Sequence, residues 1–125
     1  MAMGKKILLI DDEEQLAVAV KIRLQSKGYV VTTAGNGRQA LEAMGKDLPD
    51  LVLLDVLMPV MDGYSCLREL NQRFGRGKVP VIVLTARDQL KELFELEGID
   101  DYVIKPFDHE DLLVRIDRVL QRHKA

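Results

Sequence analysis

The chain has 125 residues, 47% hydrophobic and 30% charged, a globular balance that excludes intrinsic disorder. Its length suits one domain rather than two, and such a chain hides roughly two-thirds of its extended surface on folding. Eighteen basic against twenty acidic residues give a formal charge of −2, which excludes a domain held to nucleic acid by bulk charge, and no apolar run approaches the ~20 residues of a membrane span.

Lys6–Ile10 reads as a first strand, apolar on both faces. A helical pattern follows, with Leu16, Val20 and Leu24 spaced by four, and Gly28 suits the position just past its end. Tyr29–Thr33 is a second strand. Gly35-Asn36-Gly37 then reads as the entry turn of a second helix marked by Ala40, Leu41 and Met44; it lacks the lysine and spacing of a phosphate-binding loop. Leu51–Leu54 is a third strand. Asp62 stands where the cap of a third helix belongs, ahead of Tyr64, Leu67 and Leu70. Val79–Leu84 is a fourth strand, with Pro80 at its start because proline cannot donate to a ladder. Leu90, Leu93 and Leu96 mark a fourth helix and Tyr102–Ile104 a fifth strand. Asp108 caps a fifth helix carrying Leu112, Leu113, Ile116 and Leu120. Continuous apolar strands alternating with helices predict an α/β fold, (βα)5, with a doubly wound five-stranded parallel sheet. Residues 1–125 form one domain in this reading, with 1–4 outside the folded body as disordered or cloning-derived chain. No hydrophobic leader precedes Lys5-Lys6 and the single Cys66 cannot form an internal disulfide, so a cytoplasmic setting is expected.

Ligands of open α/β sheets bind beyond the carboxyl ends of the strands. Here those ends carry Asp11-Asp12, Asp55, Thr85 and Lys105. Each has a plain reading, as a helix cap, a turn residue or a surface turn. Their convergence favours a pocket. Two carboxylates ~5 Å apart repel by roughly 3 kcal/mol at an effective dielectric of about 20, so the acids would raise one another's pKa or capture a cation. Hard carboxylate oxygens favour Mg²⁺, or Mn²⁺, over Zn²⁺. A divalent ion beside an aspartate suits phosphoryl transfer to the carboxylate, with Thr85 and Lys105 of the right type for the phosphoryl oxygens. With strand order 2-1-3-4-5 the fifth strand lies ~10 Å from the third, and a lysine stem of ~6 Å spans most of that gap.

Four stretches carry a family resemblance: Ile7–Glu14 (ILLIDDEE), Leu54–Gly63 (LDVLMPVMDG), Val83–Arg87 (VLTAR) and Asp100–Phe107 (DDYVIKPF). In this order they resemble the receiver domain of bacterial two-component response regulators, from about Lys5 to about Gln121. The resemblance implies a flavodoxin-like fold and a phosphorylation-dependent switch. Asp55 matches the phosphoacceptor, supplied by a histidine kinase or phosphotransfer protein. Asp11 and Asp12 match the acid pair that holds Mg²⁺ with Asp55, and the backbone carbonyl of Leu57 matches a further ligand. Thr85 and Lys105 match the phosphoryl-binding residues, and Tyr102 the aromatic that turns inward as Thr85 moves. Lys105-Pro106 matches a cis peptide. Leu57 and Arg87 match positions that tune loss of the phosphoryl group; Leu57 cannot orient an attacking water, so a long-lived phosphoryl state is expected. The implied readout is the face of the fourth helix, fifth strand and fifth helix. A homodimer through that face, to which Arg115 and Asp101 correspond, and a covalently linked effector domain both fit the family. Direct nucleic-acid or membrane binding is not expected, nor enzymatic action beyond the domain's own phosphoryl transfer and dephosphorylation.

The interval from Thr85 to Lys105 is a little short for the family, which predicts a shortened fourth helix and puts an output interface borrowed from relatives in doubt. Ile99 stands where a small alanine is usual. Phe94 reads equally as core or as an exposed partner contact. Cys66 reads as inert packing, and His109 and His123 as solvated. Two rival functions are a haloacid dehalogenase-type phosphatase and a degenerate receiver that binds without phosphorylation. The first wants Asp-x-Asp after the first strand, which Asp11-Asp12-Glu13-Glu14 lacks. The intact set of Asp11, Asp12, Asp55, Thr85 and Lys105 argues against the second.

Overall fold

The computed structural model describes residues 4–55, 62–86 and 90–123. Strands and helices alternate: β1 (Lys6–Ile10), α1 (Glu14–Ser26), β2 (Val30–Ala34), α2 (Gly37–Lys46), β3 (Leu51–Asp55), α3 (Gly63–Phe74), β4 (Val81–Thr85), α4 (Lys91–Glu97), β5 (Asp101–Ile104) and α5 (His109–Arg122). All neighbouring strands are parallel, in the order β2-β1-β3-β4-β5. The expected α/β topology and strand order are therefore those observed.

The two-residue period of the strands divides the core. Ile7, Leu9, Leu51, Leu53, Ile82, Leu84 and Val103 face α1 and α5. Leu8, Ile10, Val52, Leu54, Val81, Val83 and Tyr102 face α2, α3 and α4. With both faces covered, β3 and β4 are buried throughout, as their unbroken apolar sequences require.

Several boundaries move by a residue or two for identifiable reasons. Tyr29 precedes β2 rather than opening it. Its N–H donates to Leu24 O and that of Gly28 to Gln25 O, a paired closure of the α1 end in which Gly28 takes φ +93°. Pro80 stands just ahead of β4, where its missing N–H is harmless and its carbonyl accepts from Val52 N. Asp55 and Thr85 are the last residues of β3 and β4 rather than the first residues after them. Gly4, expected outside the folded body, donates to Gly28 O.

The caps expected at Asp62 and Asp108 are observed, and Asn36 of the expected entry turn caps α2. Asn36 Oδ1 accepts from Gln39 N, Asp62 Oδ1 from Ser65 N and Asp108 Oδ1 from Glu110 N. The α4 helix has only seven residues and ends at Gly98, whose φ of +86° suits glycine. Among the described residues, no helix is long and apolar enough to cross a membrane.

Candidate functional site

Parallel pairing aligns the strand ends and so gathers their polar residues. Asp11 follows β1, held there by its N–H donating to Ala34 O. Its side chain turns back, Oδ1 accepting from Glu13 N. Asp55 pairs in register with Leu84, and Thr85 with Ile104. Lys105 is fixed by its N–H donating to Thr85 O at 2.7 Å, and the Lys105-Pro106 peptide bond is cis.

Asp11 and Asp55 are each 5% exposed and Thr85 1%, whereas Asp12 is open to solvent. One carboxylate oxygen from each of Asp11, Asp12 and Asp55 lies within 4.8 Å of the others. Lys105 Nζ stands 3.4 Å from Asp11 Oδ2 and 3.4 Å from Asp55 Oδ1, with Glu13 Oε1 at 4.0 Å. A cavity of about 200 Å³ opens between Asp12, Glu13, Asp55, Thr85, Ala86 and Lys105. Burial pushes the Asp55 carboxyl up to about 6; the Asp11 charge adds to this, Lys105 opposes it, and Asp12 contributes least. A donor set of hard carboxylate oxygens, beside a cavity with room for water, fits a hard divalent cation.

The sequence pattern of the response regulator receiver domain matches residues 7–117. The chain belongs to this family. A probable transcriptional regulator of Guillardia theta is 41% identical over 120 residues; the match takes in 94% of this chain and 46% of that protein, so the receiver domain spans about half the length of its relative. The receiver domain of a sensor histidine kinase from Pseudomonas aeruginosa, solved with a magnesium ion coordinated in its active-site cleft, is 33% identical with a TM-score of 0.86, covering 94% of this chain and 98% of that one. A response regulator of Thermotoga maritima, solved in complex with Mg²⁺–BeF, is 31% identical with a TM-score of 0.83, covering 92% and 98%.

The receiver domain thus brings together Asp11, Asp12, Asp55, Thr85 and Lys105. Leu57 and Arg87 lie outside the described residues. Tyr102 is only 8% exposed and its ring lies 6.2 Å from that of Phe94. Phe94 is fully buried, which decides for core over partner contact. Cys66 is fully buried and desolvation pushes its thiol up to about 12, the profile of inert packing.

His123 is exposed, as expected, and its Nε2 lies 2.6 Å from Asp100 Oδ2, while Asp100 also exchanges two hydrogen bonds with the Val81 backbone. Arg115 and Asp101 pair with each other at 2.8 Å within one chain. Glu13 is the pocket residue that sequence reasoning passed over. Its signal was the acidic run, in which nothing distinguished it from Glu14.

Proposed function

We propose that this domain is a phosphorylation-dependent signalling switch whose phosphoacceptor is Asp55. The observation that carries this reading is the buried Asp55 carboxylate, placed within reach of both a second buried acid and a lysine ammonium at aligned strand ends. An Asp55 oxygen attacks the phosphorus of a phosphohistidine on a histidine kinase or phosphotransfer protein. The P–N bond breaks, its electron pair returns to the imidazole, and an acyl phosphate forms on Asp55. Lys105 offsets charge on the equatorial oxygens, and the Thr85 hydroxyl donates to one of them.

Asp11, Asp12 and Asp55, with the backbone carbonyl of Leu57, would hold Mg²⁺ or Mn²⁺. Such an ion supplies charge masking that lets a carboxylate approach a phosphate. The phosphoryl group adds up to about two negative charges at one strand end and draws Thr85 and Lys105 toward it. Tyr102 follows, and the face of α4, β5 and α5 changes. The domain acts as an enzyme only on its own phosphoryl group. The length of the Guillardia relative supports a linked effector domain in the whole protein, and α4-β5-α5 offers a face for a homodimer.

The test is incubation with acetyl phosphate and Mg²⁺, followed by intact-protein mass measurement. Addition of one phosphoryl group, abolished by Asp55→Asn and by chelation of the metal, is expected. Persistence of the adduct in Asp55→Asn, or turnover of added phosphoesters, would overturn the assignment.

A further inference from the structure

Glu13 lines the strand-end cavity, and helix capping does not account for its being there. It holds the position just before α1, where its carbonyl accepts from Ala17 N at 2.9 Å, yet its side chain makes no capping bond among the described residues. Serine, threonine, aspartate or asparagine is the usual cap at such a position. The carboxylate turns instead to the cavity shared with Asp55, Thr85 and Lys105, with Oε1 4.0 Å from Lys105 Nζ and the side chain 66% exposed. The backbone supports this placement, because Glu13 N–H donates to Asp11 Oδ1 at 2.9 Å. Its neighbour diverges. Glu14 lines a separate cavity of about 340 Å³ with Lys21 and Thr33, on the β2 side of Asp11 and Asp12.

The charges around this cavity leave Glu13 in excess. Asp11, Asp12 and Asp55 carry three negative charges, which a divalent ion and Lys105 together cancel. Glu13 adds a fourth carboxylate, and among the described residues no cation other than Lys105 lies within ion-pair reach of it. We propose that Glu13 is a charge filter on the phosphodonor, slowing free anionic donors in proportion to their charge and favouring a phosphohistidine on a protein that sets a basic side chain against it. The inference rests on the receiver reading given above. Glu13 is a specificity-determining residue for the transfer to Asp55 and touches no reacting atom. A carboxylate ~7 Å from the phosphorus, across a water-rich path, slows the approach of each negative charge by roughly two- to fourfold.

The test compares two small donors on the whole chain, in saturating Mg²⁺ at neutral pH and low ionic strength, by the growth of the phosphoryl mass with time. Asp55 displaces acetate from doubly charged acetyl phosphate by breaking its P–O bond, and ammonia from singly charged phosphoramidate by breaking its P–N bond; the departing group takes the electron pair. Glu13→Gln is expected to speed the first reaction roughly four- to fifteenfold and the second roughly two- to fourfold. Both gains shrink toward nothing in 1 M salt, where the Debye length is about 3 Å. Calorimetry gives a readout apart from transfer: Glu13→Gln binds beryllofluoride, singly charged as the trifluoride, roughly two- to fourfold tighter. Glu14→Gln, which makes the same change in net charge, speeds acetyl phosphate less. Glu13→Ser, which adds a capping hydroxyl, repeats the Glu13→Gln pattern and decides the matter if that variant fails to fold. Equal gains with the two donors, no gain with either, or an equal gain from Glu14→Gln overturns the filter and leaves the receiver reading standing. A chain that takes a phosphoryl group from neither donor overturns both.

Discussion

The Lys105 ammonium sits equally between Asp11 and Asp55, 3.4 Å from an oxygen of each. One cation thus offsets two buried carboxylates, and it lies where it must repel a divalent ion held by the same acids. Lys105→Met is expected to tighten Mg²⁺ binding by roughly tenfold while abolishing efficient phosphorylation by acetyl phosphate. In metal-free buffer it should also destabilise the fold by about 1–3 kcal/mol, because the acids lose their partner. Magnesium titration and urea unfolding check the two halves separately.

The raised Asp55 carboxyl sets a pH dependence with a definite sign. Its pKa moves from 3.8 to about 6 on folding, so between those values the folded chain binds more protons than the unfolded one. Stability contributed by this group therefore falls as pH rises from about 4 to about 6, and stays lost above. Asp55→Asn should flatten that slope and add about 1–2 kcal/mol at pH 7, a figure already reduced for solvent screening. Mg²⁺ should reverse the loss in the unsubstituted chain by mass action and do little for the variant. Denaturant unfolding at pH 4.5 and 7, with and without Mg²⁺, checks this. A slope that survives in Asp55→Asn would place its origin elsewhere.

Phe94 and Leu96 make opposite predictions from the same short helix. Phe94 is 0% exposed and touches two other rings, whereas Leu96 is 72% exposed. Phe94→Ala should cost about 3–5 kcal/mol and Leu96→Ser no more than about 0.5 kcal/mol. Thermal unfolding of the two variants side by side is sufficient.

How much of this was legible in the sequence depends on whether a residue's role is set by strand period or by distant contacts. Asp11, Asp55, Thr85 and Lys105 were legible because parallel strands must end together and each is polar at the end of an apolar run. The unequal burial of Asp11 and Asp12 was not, since it follows from Asp11 turning back onto Glu13 N. Phe94 was ambiguous because one aromatic in a seven-residue helix carries too little period to fix a face. What Glu97 and His123 bind was not legible either. Their partners, Tyr64 and Asp100, lie 33 and 23 positions away and become neighbours only after folding.

Cys66 gives a probe of opening rather than of chemistry. It is fully buried and its thiol is pushed up to about 12, so almost no thiolate exists at pH 8 in the folded chain. Labelling by a thiol reagent at pH 8 should be slow, should accelerate with urea in parallel with unfolding, and should reach the rate of a free thiol once unfolded. Fast labelling in native buffer would show that α3 opens locally.

The last prediction concerns loss of the phosphoryl group. Hydrolysis of an acyl phosphate needs a water held in line with the phosphorus, and a hydrocarbon side chain offers such a water no hydrogen bond. Leu57 stands two residues after Asp55, the position that tunes this step in the family, and Arg87 stands two after Thr85. Asp55 phosphate should therefore decay slowly in purified protein, over many minutes rather than seconds. Leu57→Asn, which supplies a donor and an acceptor, should shorten its lifetime several-fold. Arg87→Ala should shorten it too if the long side chain shields the phosphoryl group. Decay of the phosphoryl adduct followed by mass spectrometry in the three proteins separates the cases. Rapid loss in the unsubstituted chain would mean that some other group, such as Glu13 of the pocket lining, positions the water.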